Sequence, residues 1–244
     1  MSAPDGRWAV PLGDVRLPAD AIEAAREALA SGWLSSGPRV EGFERAFADY
    51  VGCSHAVACS SGTAALQLAL AAVGVGPGDE VIVPAVTFVA TANAVSLAGA
   101  KPVFAEVAGE DDLTLDPGSV EDLISACTKA IVPVHYGGHP CSADIDLLAQ
   151  SRGIALVEDA AHALGAGNTA GPCGTWGEAG CFSFFANKAL PLGEGGMLTT
   201  NDAAVASRAR LLRSHGMTAG TWERHAGPST GYDVVVPGHN FRID

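Results

Sequence analysis

The strongest constraint on this chain is an alternation of two patterns: short segments that are apolar at nearly every position, and helical segments rich in small residues. The first pattern predicts strands over 56–59, 80–83, 102–105, 130–134, 154–157, 180–184 and 197–199. Helices are expected between and after them, over 63–73, 89–97, 117–125, 144–151 and 203–214. A strand with one wet face carries a polar residue at every second position. These strands do not, so both faces of their sheet are expected to be covered. Such alternation implies an α/β fold of three layers, α/β/α, around a mainly parallel seven-stranded sheet. Upstream, the segment 18–30 places Ile22, Ala25 and Leu29 on one helical face with Gly32 as a stop. Val40, Phe43, Phe47 and Tyr50 then recur at helical spacing. The stretch 216–238 is polar and breaker-rich, and is expected to be a long loop.

Of 244 residues, 48% are hydrophobic and 17% charged, which is enough to bury a sizeable core. Lys and Arg number 14 against 27 Asp and Glu, for a formal charge of −13. That balance argues against a nucleic-acid partner or an anionic membrane surface, both of which need clustered basic side chains. A small anionic ligand needs only a few local donors and stays possible. The cysteines at 53, 59, 127, 141, 173 and 181 form no C-x-x-C pair. The first twenty residues hold Asp5, Arg7, Asp14, Arg16 and Asp20 and lack the apolar run of a secretion signal. A cytoplasmic protein with reduced thiols is therefore expected. The uncharged run 81–100 contains Pro84, Thr87, Thr91, Asn93, Ser96 and Gly99, which suits a strand, a loop and a helix better than a membrane span.

In open parallel sheets, ligands sit beyond the carboxyl ends of the strands. Four segments place chemistry there. Cys59-Ser60-Ser61-Gly62-Thr63 joins a strand to a helix start, where free N–H groups make either a phosphate cradle or an ordinary hydroxyl cap. Val157-Glu158-Asp159-Ala160-Ala161-His162 puts two carboxylates at a strand end with a histidine following. They could orient a cationic heteroatom or move protons, or simply be solvated. Lys188 follows the apolar strand and Ser183-Phe184-Phe185-Ala186-Asn187. Desolvation there would lower its pKa and make a nucleophilic amine; a snorkelling lysine is the plainer account. Phe88, between Thr87 and Val89, could stack on a flat ligand or belong to the core.

Two other patterns are weaker. Gly165-x-Gly167-x-x-Ala170 fits a loose dinucleotide fingerprint but leads into Gly171, Pro172 and Gly174 rather than a helix. His135, His139 and Cys141 could ligate a metal, yet Gly137, Gly138 and Pro140 set them in a loop without a regularly spaced fourth ligand, so no metal is expected.

Along the chain stand Ser60-Ser61-Gly62-Thr63, Glu158-Asp159-Ala160-Ala161-His162, Ser183-Phe184-Phe185-Ala186-Asn187-Lys188 and Gly193-Glu194-Gly195-Gly196-Met197. Arg210-Leu211-Leu212-Arg213-Ser214-His215-Gly216 and Gly238-His239-Asn240-Phe241-Arg242 follow. This ordered series, over about 32–244, resembles the DegT/StrS-type nucleotide-sugar aminotransferases, pyridoxal-phosphate (PLP) enzymes of the aspartate-aminotransferase fold. The resemblance implies that Lys188 carries the cofactor on its amine and that Asp159 pairs with the pyridine nitrogen. It implies that Ser183, Gly62 and Thr63 hold the phosphate, that Phe88 stacks on the ring and that His162 lies on the ring's hydroxyl side. Asn240 would reach the cofactor of the neighbouring subunit, making a homodimer. The reaction implied is amine transfer from an amino acid, glutamate foremost, to a nucleotide-linked keto-sugar.

With the resemblance, the expected organisation is an N-terminal helical segment over 1–50, a PLP-binding large domain over 51–215, and a loop with the start of a C-terminal region over 216–244. Family members continue well past the Asn-x-Arg segment. The competing expectation is thus a non-catalytic PLP-binding or dimerising fragment, prone to self-association.

Overall fold

The structure, a computed structural model, describes residues 15–227 and 231–244. Most of the charges weighed against a leader lie outside the described residues, as do 228–230 of the expected loop. Helices α1 (Ala19–Ser31) and α2 (Pro38–Val51) lead into β1 (His55–Cys59), α3 (Gly62–Ala72), β2 (Glu80–Pro84), α4 (Ala90–Leu97) and β3 (Lys101–Ala105). Then come α5 (Pro117–Leu123), β4 (Thr128–Ile131), α6 (Asp144–Arg152) and β5 (Ala155–Asp159). A small hairpin, β6 (Gly167–Asn168) with β7 (Gly171–Pro172), precedes β8 (Ala179–Ser183), β9 (Gly196–Thr200), α7 (Ala203–Arg213) and α8 (Thr221–Ala226).

The seven-stranded sheet has the order β1-β9-β8-β5-β4-β2-β3. β9 is antiparallel to both its neighbours, β1 and β8, while the remaining pairs are parallel. Six strands thus point one way, and the carboxyl ends of β1, β2, β5 and β8 share an edge with the start of β9.

The central strands divide their side chains between two buried layers, which is why they do not alternate with polar residues, whereas the edge strand β3 is largely exposed, Phe104 at 55%. Val57 and Cys59 of β1, Val81 and Val83 of β2, Val157 of β5 and Leu198 of β9 pack with α3, α4 and α7. On the other face, Ala56, Ala58 and Met197 meet Phe47, Ala48 and Val51 of α2, and Ile82, Ile131 and Leu156 meet residues of α5 and α6. Phe47 anchors α2 through edge-on contacts with Phe182 and Phe184, at centroid distances of 5.1 and 5.5 Å.

Some expectations are corrected and others hold. The long loop expected over 216–238 contains α8, whose Trp222 meets Trp33 edge-on at 4.8 Å. The loose dinucleotide fingerprint is the β6–β7 hairpin, with no helix start to receive a phosphate. β4 stops at Ile131, short of 134, since Pro133 has no N–H to continue the ladder. β5 runs on to Asp159, so the paired carboxylates lie inside the strand. The apolar face of α1 is uncovered: Ile22 is 51% and Leu29 66% exposed. The run 81–100 is β2, a turn and α4, and among the described residues no helix is long and apolar enough to cross a membrane.

Candidate active site

The turn from β1 into α3 supplies the first part of the site. Ser61 caps the helix, its hydroxyl oxygen accepting the Ala64 N–H at 3.0 Å. The Ser60 N–H is taken by the carbonyl of Phe241 at 2.9 Å. The N–H groups of Gly62 and Thr63, both half-buried, have no partner among the described residues. Two free donors at the positive end of a helix are suited to an anion. The Ser61 cap thus leaves both of these N–H groups without a partner among the described residues.

Close backbone approach shapes this turn. A Cβ on Gly62 would lie 2.8 Å from the Ser183 Cβ. A Cβ on Gly196 would overlap the Ser61 carbonyl oxygen and stand 2.7 Å from the Gly62 nitrogen. β8 and β9 can therefore press against the helix start only because both positions lack side chains. Ser183 is set beside Gly62, its hydroxyl oxygen accepting the Phe185 N–H at 3.4 Å.

The tandem acids of β5 point to opposite faces of the sheet. Glu158 is fully buried, and its Oε1 accepts the Trp176 N–H at 2.7 Å. Its Oε2 accepts the Gly174 N–H at 2.7 Å and the His135 Nε2 proton at 3.0 Å. The His135 Nδ1 accepts the Cys141 N–H, which places the ring proton on Nε2. Glu158 and His135 are therefore mutual structural partners rather than acid–base or metal-binding groups.

Asp159 is 7% exposed and has no ion-pair partner among the described residues. Its Oδ2 accepts the Thr91 hydroxyl proton at 2.8 Å and its Oδ1 the Ala161 N–H at 3.2 Å. Burial pushes its carboxyl above the ordinary carboxylate range, and the two hydrogen bonds pull the other way. A buried carboxylate of this kind suits a cationic ligand group.

Lys188 follows β8 on a turn closed by its N–H donating to the Phe185 carbonyl at 2.9 Å. Desolvation lowers the pKa of its amine, against the pull of Asp159. The other two lysines, Lys101 and Lys129, are exposed. His162 is lowered by desolvation first and by the Lys188 charge second, with Asp159 opposing. Asp159, His162 and Lys188 thus feel one another. Phe88 sits at the turn before α4, 74% exposed, outside the core. Asn240 is exposed, while its backbone bridges to Ser214. A separate cleft at the start of β1, between α2, α7 and α8, is lined by Arg45, Arg210, Arg213 and Arg242.

Sequence reasoning missed Thr91 and Thr87, whose hydroxyls are 2.8 Å apart and lead to Asp159, and the backbone role of Gly196. The i, i+4 spacing of two threonines just after a strand was the available signal.

The chain resembles known proteins over most of its length. It is 47% identical to the spore coat polysaccharide biosynthesis protein SpsC of Bacillus subtilis, over 91% of this chain and 57% of that protein. It is 44% identical to the GDP-perosamine synthase of Caulobacter vibrioides, over 93% of this chain and 59% of the relative. Among solved structures, S. venezuelae DesV in complex with a ketimine intermediate superposes with a TM-score of 0.84 at 41% identity. That match covers 92% of this chain and 58% of DesV. The chain thus spans less than two thirds of the length of each of these proteins. The DegT/DnrJ/EryC1/StrS aminotransferases are PLP-dependent, and their family pattern matches residues 16–244. With a family match over residues 16–244 and relatives more than 40% identical over nine tenths of its length, the chain belongs to the DegT/DnrJ/EryC1/StrS aminotransferase family.

Proposed function

We propose that this chain acts as a PLP-dependent aminotransferase that moves an amine from an amino acid, glutamate foremost, to a keto-sugar carried on a nucleotide. One observation carries the reading. A buried carboxylate and two helix N–H groups, without an ion-pair or hydrogen-bond partner respectively among the described residues, lie with a desolvated amine along one sheet edge. These are the complements of PLP: a cationic ring nitrogen, an aldehyde and a phosphate. The donor set and the glycine-lined approach at Gly62 fit the group. Names of relatives that include a GDP-sugar synthase support the nucleotide-sugar class.

In this reading the Gly62 and Thr63 N–H groups and Ser183 hold the phosphate, and Phe88 lies on the ring. Asp159 keeps the ring nitrogen protonated, and His162 stands on the ring's hydroxyl side. PLP supplies an electron-accepting ring for the bond that breaks at the substrate carbon. The Lys188 Nζ would hold the cofactor and would serve as the base that takes the proton from the substrate carbon. The chain is proposed to work in the cytoplasm as a homodimer.

The test is reduction of the PLP-treated chain with borohydride, followed by peptide mass mapping. The pyridoxyl mass belongs on Lys188; a label on Lys101 or Lys129 instead would overturn the assignment.

A further inference from the structure

We propose that Thr91 is a positioning residue for Asp159: its hydroxyl, itself held by Thr87, fixes the rotation of the carboxylate that meets the cofactor's ring nitrogen. This inference rests on the reading of Asp159 given above. Thr91 is 1% exposed, and its hydroxyl donates to Asp159 Oδ2 at 2.8 Å. A hydroxyl has one proton, so the Thr87 hydroxyl at 2.8 Å must be the donor to Thr91. The chain of donation runs Thr87 to Thr91 to Asp159. Each link polarises the next and strengthens the bond that reaches the carboxylate.

The same first turn of α4 fixes Phe88, whose carbonyl accepts the Thr91 N–H at 3.1 Å. One helical turn therefore sets the residue proposed to lie on the ring and the residue that aims the carboxylate. The Ala161 N–H on Oδ1 is longer, at 3.2 Å, and leaves Thr91 as the shorter contact. The titratable groups around Asp159 are His162 in the turn after β5, Lys188 after β8, Cys181 on β8 and His135 after β4. α4 carries none, so on that side the hydroxyl is what favours the charged form of the carboxyl.

The experiment uses the full chain, cofactor-free, with carbon-13 at the aspartate carboxyls; the Asp159 resonance is assigned by its loss in Asp159→Asn. In Thr91→Val the Asp159 titration midpoint moves up by about one unit, a tenfold weaker acid, as expected for one lost hydrogen bond. Thr91→Ser, which keeps the hydroxyl, restores it. PLP binding weakens about tenfold in Thr91→Val and less than about threefold in Thr91→Ser. If Thr91→Val fails to fold, Thr91→Ala removes the same hydroxyl and must give the same upward shift. A valine or alanine variant that titrates as wild type overturns the proposal. If instead the Asp159→Asn chain binds PLP and accepts an amine from glutamate as wild type does, the role of Asp159 fails. The titration then still decides Thr91 independently.

Discussion

Glu158 and Asp159 are neighbours with the same chemistry and opposite duties, and the difference lies in which sheet face each side chain enters. Both Glu158 oxygens receive donors, Oε1 from Trp176 and Oε2 from Gly174 and His135. In Glu158→Gln the amide would face donors whichever way it turned. A loss of about 2–4 kcal/mol is expected, the cost of leaving buried donors unpaired. Urea unfolding of the cofactor-free chain measures it, and an unchanged midpoint would contradict the network. Lys188 is the second case at this scale. Desolvation lowers its pKa below 10.5, so the neutral amine becomes available at lower pH. The rate of PLP capture should rise with pH with its midpoint below pH 10.5. The Asp159 charge works against desolvation, so Asp159→Asn should move that midpoint lower still. A midpoint moving upward in stopped-flow absorbance would show the sign to be wrong. At this scale the sequence displayed Asp159 and Lys188 by neighbourhood alone. It hid the separate fates of the tandem acids, which depend on β5 extending past Val157.

Among elements, the approach of β9 to the start of α3 does most to shape the proposed phosphate cradle. Gly196→Ala pushes a methyl into the Ser61 carbonyl, and Gly62→Ala presses on Ser183. Backbone must shift in the first case, so Gly196→Ala is expected to cost about 1–3 kcal/mol and to weaken PLP binding more than tenfold. Gly76→Ala, with nothing within 4 Å of the added carbon, is the control and should leave PLP binding as it was. Equal PLP affinities for Gly196→Ala and Gly76→Ala, read by fluorescence titration, would remove the cradle argument. The strands themselves were legible because two-sided burial leaves an unbroken apolar run, as in Val81-Ile82-Val83. The reversed direction of β9 was not, since Met197-Leu198-Thr199 looks the same in either direction. α8 escaped notice because Thr221–Ala226 has little apolar content; its anchor is Trp222 against Trp33, far away in sequence. The β6–β7 hairpin was masked by glycines that also fit a nucleotide fingerprint.

For the whole molecule, the segment ending in Asn240-Phe241-Arg242 is tied to its own chain by backbone. The His239 N–H reaches the Leu212 carbonyl at 2.7 Å, and the Phe241 carbonyl takes the Ser60 N–H at 2.9 Å. Asn240 is nevertheless exposed, and its side-chain amide has no partner among the described residues. Around the same sheet edge Phe88, Val89, Phe185 and Leu192 are 74%, 58%, 46% and 49% exposed, an apolar rim of the kind a second copy covers. In the proposed homodimer, Asn240 of each copy serves the other copy's cofactor. Mixing tests this directly. A chain with Lys188→Ala keeps Asn240, and a chain with Asn240→Ala keeps Lys188. If Asn240 acts across the interface, a hybrid of the two contains one site with both groups intact and one with neither. If it acts within its own chain, every site lacks one of them. Neither variant alone should retain tight PLP, whereas the mixture, after subunit exchange, should recover about one tight site per hybrid dimer. Bound cofactor counted by absorbance after gel filtration gives the answer. A mixture that binds no more tight PLP than the two variants measured apart would place Asn240 on its own chain's site or on none.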